Sequence, residues 1–149
     1  MNKEDFLQKP VEDCLDKIGF IKRFKQLSEV FNITDDVFEM EIDVVLQICK
    51  DLGLLIKYSK SKGFYVNEHI FDYDFTFGFT VKFNSFDFGL SVKNKDRNIF
   101  SAAPWHFLID LMIENNNIRR VNFRNYEDLK NILKVSFEIY DDFKKELVK

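Results

Sequence analysis

Two stretches in the middle of the chain alternate strictly between apolar and polar or small residues. The apolar members are Phe75, Phe77, Phe79, Val81 and Phe83 in the first stretch, and Phe86, Phe88, Leu90 and Val92 in the second. A period of two over this length predicts two antiparallel strands, joined by a turn at residues 84–85. One face of this sheet consists mainly of phenylalanine side chains and requires a layer of helices over it.

Helical spacing dominates the N-terminal third. Pro10 suits a first turn, and the apolar positions that follow it repeat at intervals of three and four residues, as they do again over 21–31. Asp36 and Glu39 form a capping box that predicts a third helix from about residue 37 to residue 52, ended by Gly53. A lysine-bearing turn then separates two short apolar runs, 54–58 and 63–66, which predict a hairpin.

The C-terminal third predicts the helical cover for the sheet. Ser101 or Ala103 is the expected cap of a helix with Pro104 in its first turn. A short strand is expected within 118–123, and Asn125 predicts the start of the longest helix, which runs to about residue 147. The fold class is therefore α+β: a helical N-terminal part, then an antiparallel sheet packed against two C-terminal helices.

Residues 1–149 are expected to form one domain, because 149 residues fit a common domain size and the chain has only 2 Pro and 5 Gly to make a linker. A division into 1–66 and 67–149 remains an alternative, since three helices followed by a hairpin are also winged-helix-like. The wing would then carry three lysines, Lys57, Lys60 and Lys62. The third helix carries an excess of carboxylates that would repel DNA phosphates, so nucleic-acid binding is the less favoured alternative.

Composition narrows the function classes. The formal charge is −3, which disfavours broad nucleic-acid binding, and 18 Phe allow both a large core and an aromatic partner surface. Cys14 and Cys49 stand apart among apolar residues and predict free, buried thiols in a reducing, cytoplasmic setting. No apolar run approaches membrane-spanning length, so we expect no membrane partner.

Catalytic and metal chemistry find little support in the sequence. His69 and His106 are the only histidines, neither cysteine pairs with one in a recognisable motif, and no nucleophile elbow is present. The cluster that contains Glu68, His69, Asp72 and Asp74 matches no known metal-binding spacing and predicts a solvated edge. We expect no catalytic residues, no metal and no cofactor. Gly78 and Gly89 are interpreted as strand glycines that mark bulges or close packing.

Acidic and aromatic residues interleave at the entrance of the first long strand. Carboxylates mixed with aromatic rings are typical of contacts with a cationic protein. The residues predicted to bind such a partner are Tyr65, Glu68, Asp72, Tyr73 and Asp74, joined by Asp141 and Asp142 from the last helix.

Several stretches of the second half resemble immunity proteins of bacterial contact-dependent growth inhibition and related polymorphic toxin systems. They are the strands of 77–90, the Ala-Pro-Trp-His-Phe-Leu stretch at 103–108, the Asn-Tyr-Glu-Asp-Leu stretch at 125–129 and the Ile-Tyr-Asp-Asp-Phe stretch at 139–143. The resemblance implies a cytoplasmic, non-enzymatic inhibitor that neutralises a basic toxin domain, often a nuclease, by tight complex formation. Exposed phenylalanines would also be compatible with a homodimer.

Overall fold

A computed structural model describes residues 2–32 and 38–149. Within this part, the chain folds as α+β, with helices at both ends and a six-stranded antiparallel sheet between them. After a 3₁₀ turn at Lys3–Asp5, the helices are α1 (Lys9–Lys17), α2 (Phe20–Val30), α3 (Ile42–Asp51), α4 (Trp105–Met112) and α5 (Tyr126–Leu147). The strands are β1 (Lys57–Ser59), β2 (Gly63–Ile70), β3 (Tyr73–Lys82), β4 (Ser85–Asn94), β5 (Ile99–Pro104) and β6 (Val121–Asn122).

The strands lie side by side in chain order from β1 to β5. β4 is long enough to pair with β3 along one edge and with both β5 and the short β6 along the other. The register sets Phe77 against Leu90 and Gly78 against Gly89. Directly paired residues point to the same face, and successive residues of a strand point to opposite faces. Each face of the sheet therefore collects one alternate set of residues from every strand.

The inner face of the sheet is the one that the helices cover. Phe77 is fully buried, and its ring centroid lies 5.1 Å from that of Trp105 at the start of α4. On α5, Phe137 and Tyr140 place their ring centroids 5.0 and 4.6 Å from the same ring. The alternating phenylalanines therefore form the core with the helix layer, as the sequence pattern predicted.

α5 begins where the sequence places it. The Asn125 side chain accepts a hydrogen bond of 2.8 Å from the backbone N–H of Asp128, and the Asp128 carboxylate accepts from Arg124. These contacts satisfy backbone donors that the first turn of a helix leaves unpaired. The long helix is thereby fixed at its start over the inner face.

The N-terminal helices pack into the same core rather than beside it. Phe20 and Phe24 of α2 place their rings 5.2 and 5.8 Å from Trp105. The Cys14 thiol of α1 donates to the carbonyl of Phe143 in α5 at 3.4 Å. A boundary after residue 66 would cut through β2. The hairpin of β1 and β2 forms one side of the main sheet, so it does not project as a separate wing.

Several predicted boundaries were wrong. The segment Ile99–Pro104 is a strand, so the cap predicted at Ser101 or Ala103 does not form and the helix begins at Trp105. α3 begins at Ile42 rather than near residue 37, and Asp36 of its predicted capping box lies outside the described residues. Phe83 was expected to point inward from a strand; it lies instead in the two-residue turn between β3 and β4 and is 84% exposed.

Gln8 covers part of the outer edge of β5. Its side-chain carbonyl accepts a 2.6 Å hydrogen bond from the backbone N–H of Phe100, and its amide donates to the carbonyl of Asn98 at 3.1 Å. Its own backbone N–H donates to the Ser101 hydroxyl at 3.3 Å. Backbone groups at the sheet edge are thus paired by a side chain from the N-terminal segment.

Candidate partner-binding surface

The residues predicted to bind a cationic partner do not form one continuous patch. Tyr73 is only 3% exposed, and its hydroxyl accepts a 3.1 Å hydrogen bond from Arg97. Its position follows from the alternation of β3, which turns Tyr73 inward together with Phe75. Tyr65 lies on the opposite face of the sheet, half-buried and paired with Gly78.

Most of the predicted carboxylates already have cationic partners within the chain. Glu68 and Asp141 both contact the Lys144 ammonium, at 2.7 and 3.1 Å. Asp142 binds Arg23 at 2.8 Å. Asp74 contacts His69 at 2.6 Å, and both of these side chains are about two-thirds exposed. The contacts with Lys144 and Arg23 lower the negative potential that would attract a basic toxin domain.

Asp72 differs from these carboxylates because it forms no ion pair with any described residue. It follows Phe71 in the two-residue turn between β2 and β3. Phe71 is 77% exposed and has a positive φ of 52°, a left-handed conformation that favours glycine or asparagine over an aromatic residue. Phe83, at the other end of β3, is also exposed and also has a positive φ, of 57°. Both turns therefore present a phenylalanine that packing does not require.

A second surface lies on the face of the sheet that points away from the helices. We call the depression in this face the outer trough, and its volume is about 490 Å³. Every residue that lines it comes from the sheet and its turns. The residues that define it are Tyr65, Thr76, Gly78, Gly89, Ser91, Ala102 and Pro104.

The pairing of strands explains the shape of the outer trough. One transverse row runs from Tyr65 through Gly78 and Gly89 to Pro104. The next row runs through Thr76, Ser91 and Ala102. Small residues on β3 and β4 form the floor, and the larger Tyr65 and Pro104 stand at its two sides. Three strand spacings separate β2 from β5, so the trough is about 14 Å across.

The two facing glycines of the floor have different causes. A Cβ atom on Gly78 would lie 2.3 Å from the carbonyl oxygen of Phe64 and 2.9 Å from Cβ of Tyr65, so close packing requires glycine there. A Cβ atom on Gly89 would meet nothing within 4 Å, and the backbone of Gly89 does not have a positive φ. Neither sterics nor backbone geometry requires glycine at position 89, and glycine weakens a strand. Its effect is to keep the trough open.

Burial disfavours the charged form of each of the two cysteines and of His106. Burial raises the pKa of Cys14 and of Cys49 to about 12, so both thiols stay protonated at neutral pH. Burial also lowers the pKa of His106, whose ring packs edge-on against Phe24 with a centroid separation of 5.2 Å. Among the described residues, no three His, Cys, Asp or Glu side chains lie together as a metal site.

The outer trough was not anticipated from the sequence, although part of its signal was present. Most residues between the buried phenylalanines of β3 and β4 are small, and both glycines were interpreted as marks of bulges or close packing. That interpretation holds for Gly78 and does not account for Gly89. The β5 side of the trough could not be foreseen, because Ala102 and Pro104 were expected at the start of a helix.

The chain matches no protein-family model, no curated protein and no solved structure. A function can therefore be proposed only from the geometry of the molecule itself. In the part of the chain that the structure describes, no helix has both the length and the apolar character needed to cross a bilayer.

Proposed function

We propose that this protein is a non-enzymatic, protein-binding inhibitor of the immunity type, which holds its target on the outer face of the sheet. The observation that carries the proposal is the outer trough, whose floor is kept open by Gly89. Aromatic residues beside small ones offer a desolvated pocket into which a partner can insert a side chain.

The contact is assigned to the outer face because most carboxylates of the alternative surface already have partners within the chain. Four of the five predicted carboxylates are paired with His69 or with cations of α2 and α5. Only Asp72, beside the exposed Phe71, keeps the acid and aromatic combination that a basic toxin domain would recognise. The turn that carries these two residues therefore forms a secondary contact in this proposal.

The experiment is affinity capture with three baits that carry the same C-terminal tag. The baits are the wild type, the trough-filling variant Gly89→Trp and the control Lys134→Glu on the exposed side of α5. We expect the wild type and the control to retain one polypeptide at a one-to-one ratio, and Gly89→Trp to lose it. Co-expression should then suppress the toxicity of that polypeptide with the wild type and not with Gly89→Trp.

Two results would contradict the proposal. One is a captured polypeptide that the wild type and Gly89→Trp retain equally. The other is a captured polypeptide that binds the trough and whose activity the wild type leaves unchanged, which would indicate a scaffold rather than an inhibitor. Thermal unfolding of each bait checks that the substitutions leave the fold intact.

A further inference from the structure

Charge on the outer face has the opposite sign to charge on the whole chain. Four lysines lie on this face or at its rim, and all four are exposed: Lys57, Lys62, Lys82 and Lys93. Two aspartates lie among them, Asp74 and Asp87. The whole chain carries a formal charge of −3. The sheet therefore presents a basic surface on an acidic protein.

These lysines are available to a partner. None of the four forms an ion pair within residues 2–32 and 38–149, and Lys62 lies 5.4 Å from the ring centroid of Tyr65. Asp74 is engaged by His69. Exposed and unpaired charge of one sign steers a partner of the opposite sign to the surface.

We infer that the outer trough takes an acidic, amphipathic segment of the partner protein, with large apolar side chains on the trough floor and carboxylates on the surrounding lysines. This inference rests on the proposed function and gives the partner's contact surface a chemistry. Because the floor residues are small, the bulk at this contact has to come from the partner. The width of about 14 Å accommodates an α-helix, whose diameter with side chains is about 10–12 Å.

Nucleic acid fits the trough less well than an acidic polypeptide does. The floor offers glycine, alanine and serine in place of a row of aromatic rings on which bases could stack. An apolar anchor with flanking carboxylates meets both the small floor and the lysine rim.

The test is selection from a phage library of random 16-residue peptides, with the wild type as target and Gly89→Trp as counter-target. Selected peptides should be enriched in Asp and Glu and in Leu, Phe or Trp. We expect them to bind the wild type about tenfold more tightly than they bind Gly89→Trp or the double variant Lys62→Glu/Lys93→Glu. The matched charge control is Lys134→Glu/Lys145→Glu on the exposed side of α5, which should bind like the wild type.

The binding site is checked by amide chemical shifts in ¹H–¹⁵N spectra, which should change at Gly78, Gly89, Ser91 and Ala102. Selected peptides that are basic, that ignore the lysine reversals or that shift other amides would overturn the inference, as would a library with no peptide that discriminates the two targets. A fluorescein-labelled 20-nucleotide DNA that binds the wild type and not Gly89→Trp would assign the trough to nucleic acid instead.

Failure of the acidic-segment inference and failure of the proposed function give different experimental results. If a captured toxin is neutralised through Gly89 while the lysine reversals have no effect, the inhibitor proposal stands and the acidic partner is wrong. If acidic peptides bind the trough and no toxin is neutralised, the acidic contact stands and the inhibitor proposal is wrong.

Discussion

The same strands build two faces that differ in almost every physical respect. On the inner face, alternate positions of β3 and β4 carry phenylalanines that helices bury completely. On the outer face, the residues between them are glycine, serine, threonine and one aspartate, Asp87, and lysines lie at the rim. Stability therefore depends mainly on the inner face, and packing places few constraints on the outer one. Substitutions at neighbouring positions of one strand should separate these roles.

The largest contrast is expected between Phe77→Ala and Ser91→Ala. Phe77 is fully buried among Phe88, Trp105 and Tyr140, so its removal should leave a cavity and lower the free energy of unfolding by about 3–5 kcal/mol. Ser91 lines the outer trough, and its truncation should change the free energy of unfolding by less than about 0.5 kcal/mol. Urea denaturation measures both, and equal losses would refute the division between the faces.

The two facing glycines sharpen the comparison within the outer face. Gly78→Ala forces a Cβ against the carbonyl of Phe64 and should lower the free energy of unfolding by about 1–3 kcal/mol. Gly89→Ala adds its methyl group to open space and should raise the free energy of unfolding by about 0.5–1 kcal/mol. Thermal unfolding of the two variants should give shifts of opposite sign. A destabilising Gly89→Ala would mean that packing, not recognition, explains this glycine.

Acid should weaken the helical cover of the inner face through Asp128. Hydrogen bonds from Arg124 hold the pKa of this carboxyl below its ordinary value of 3.8. A depressed pKa in the folded state stabilises the fold above pH 3.8, and this contribution is lost as the pH falls through the folded-state pKa. Asp128→Asn should therefore cost about 1 kcal/mol at pH 7 and progressively less below pH 3.8. A cost that does not vary with pH would exclude an electrostatic origin.

The smallest effect is expected at the exposed turns. Phe83→Asn replaces an aromatic residue at a φ of 57° with one that tolerates the left-handed region, so the free energy of unfolding should rise by up to about 1 kcal/mol. Phe71→Asn should behave in the same way. Calorimetry measures both changes, and a clear loss of stability would show that these rings contribute to the fold.

The sequence was most informative where one physical requirement acts alone. Burial of every second residue predicted the two long strands and their helical cover, and the side chain of Asn125 predicted the start of α5. β5 was missed because its inward residues include Ser101 and Ala103, which carry little of the apolar signal that marked β3 and β4. Applied consistently, the alternation of β3 would also have turned Tyr73 inward.

The partner surface was harder to predict because it depends on contacts between distant segments. Glu68 and Lys144 are 76 positions apart, and only the packing of α5 over β2 brings them together. No local pattern shows that this carboxylate is already paired. The trough likewise requires β2, β3, β4 and β5 in register, whereas the sequence shows only that most outward residues of β3 and β4 are small.

The contact of Gln8 with β5 has a consequence for how the protein behaves in a concentrated solution. An uncovered edge strand is a template on which a second sheet can grow, and such growth leads to aggregates. Gln8 presents an amide to β5 much as a neighbouring strand would, and so it occupies a site for polymerisation. The short segment before α1 therefore protects this edge, and its removal would uncover backbone groups with which a second copy of the chain could pair.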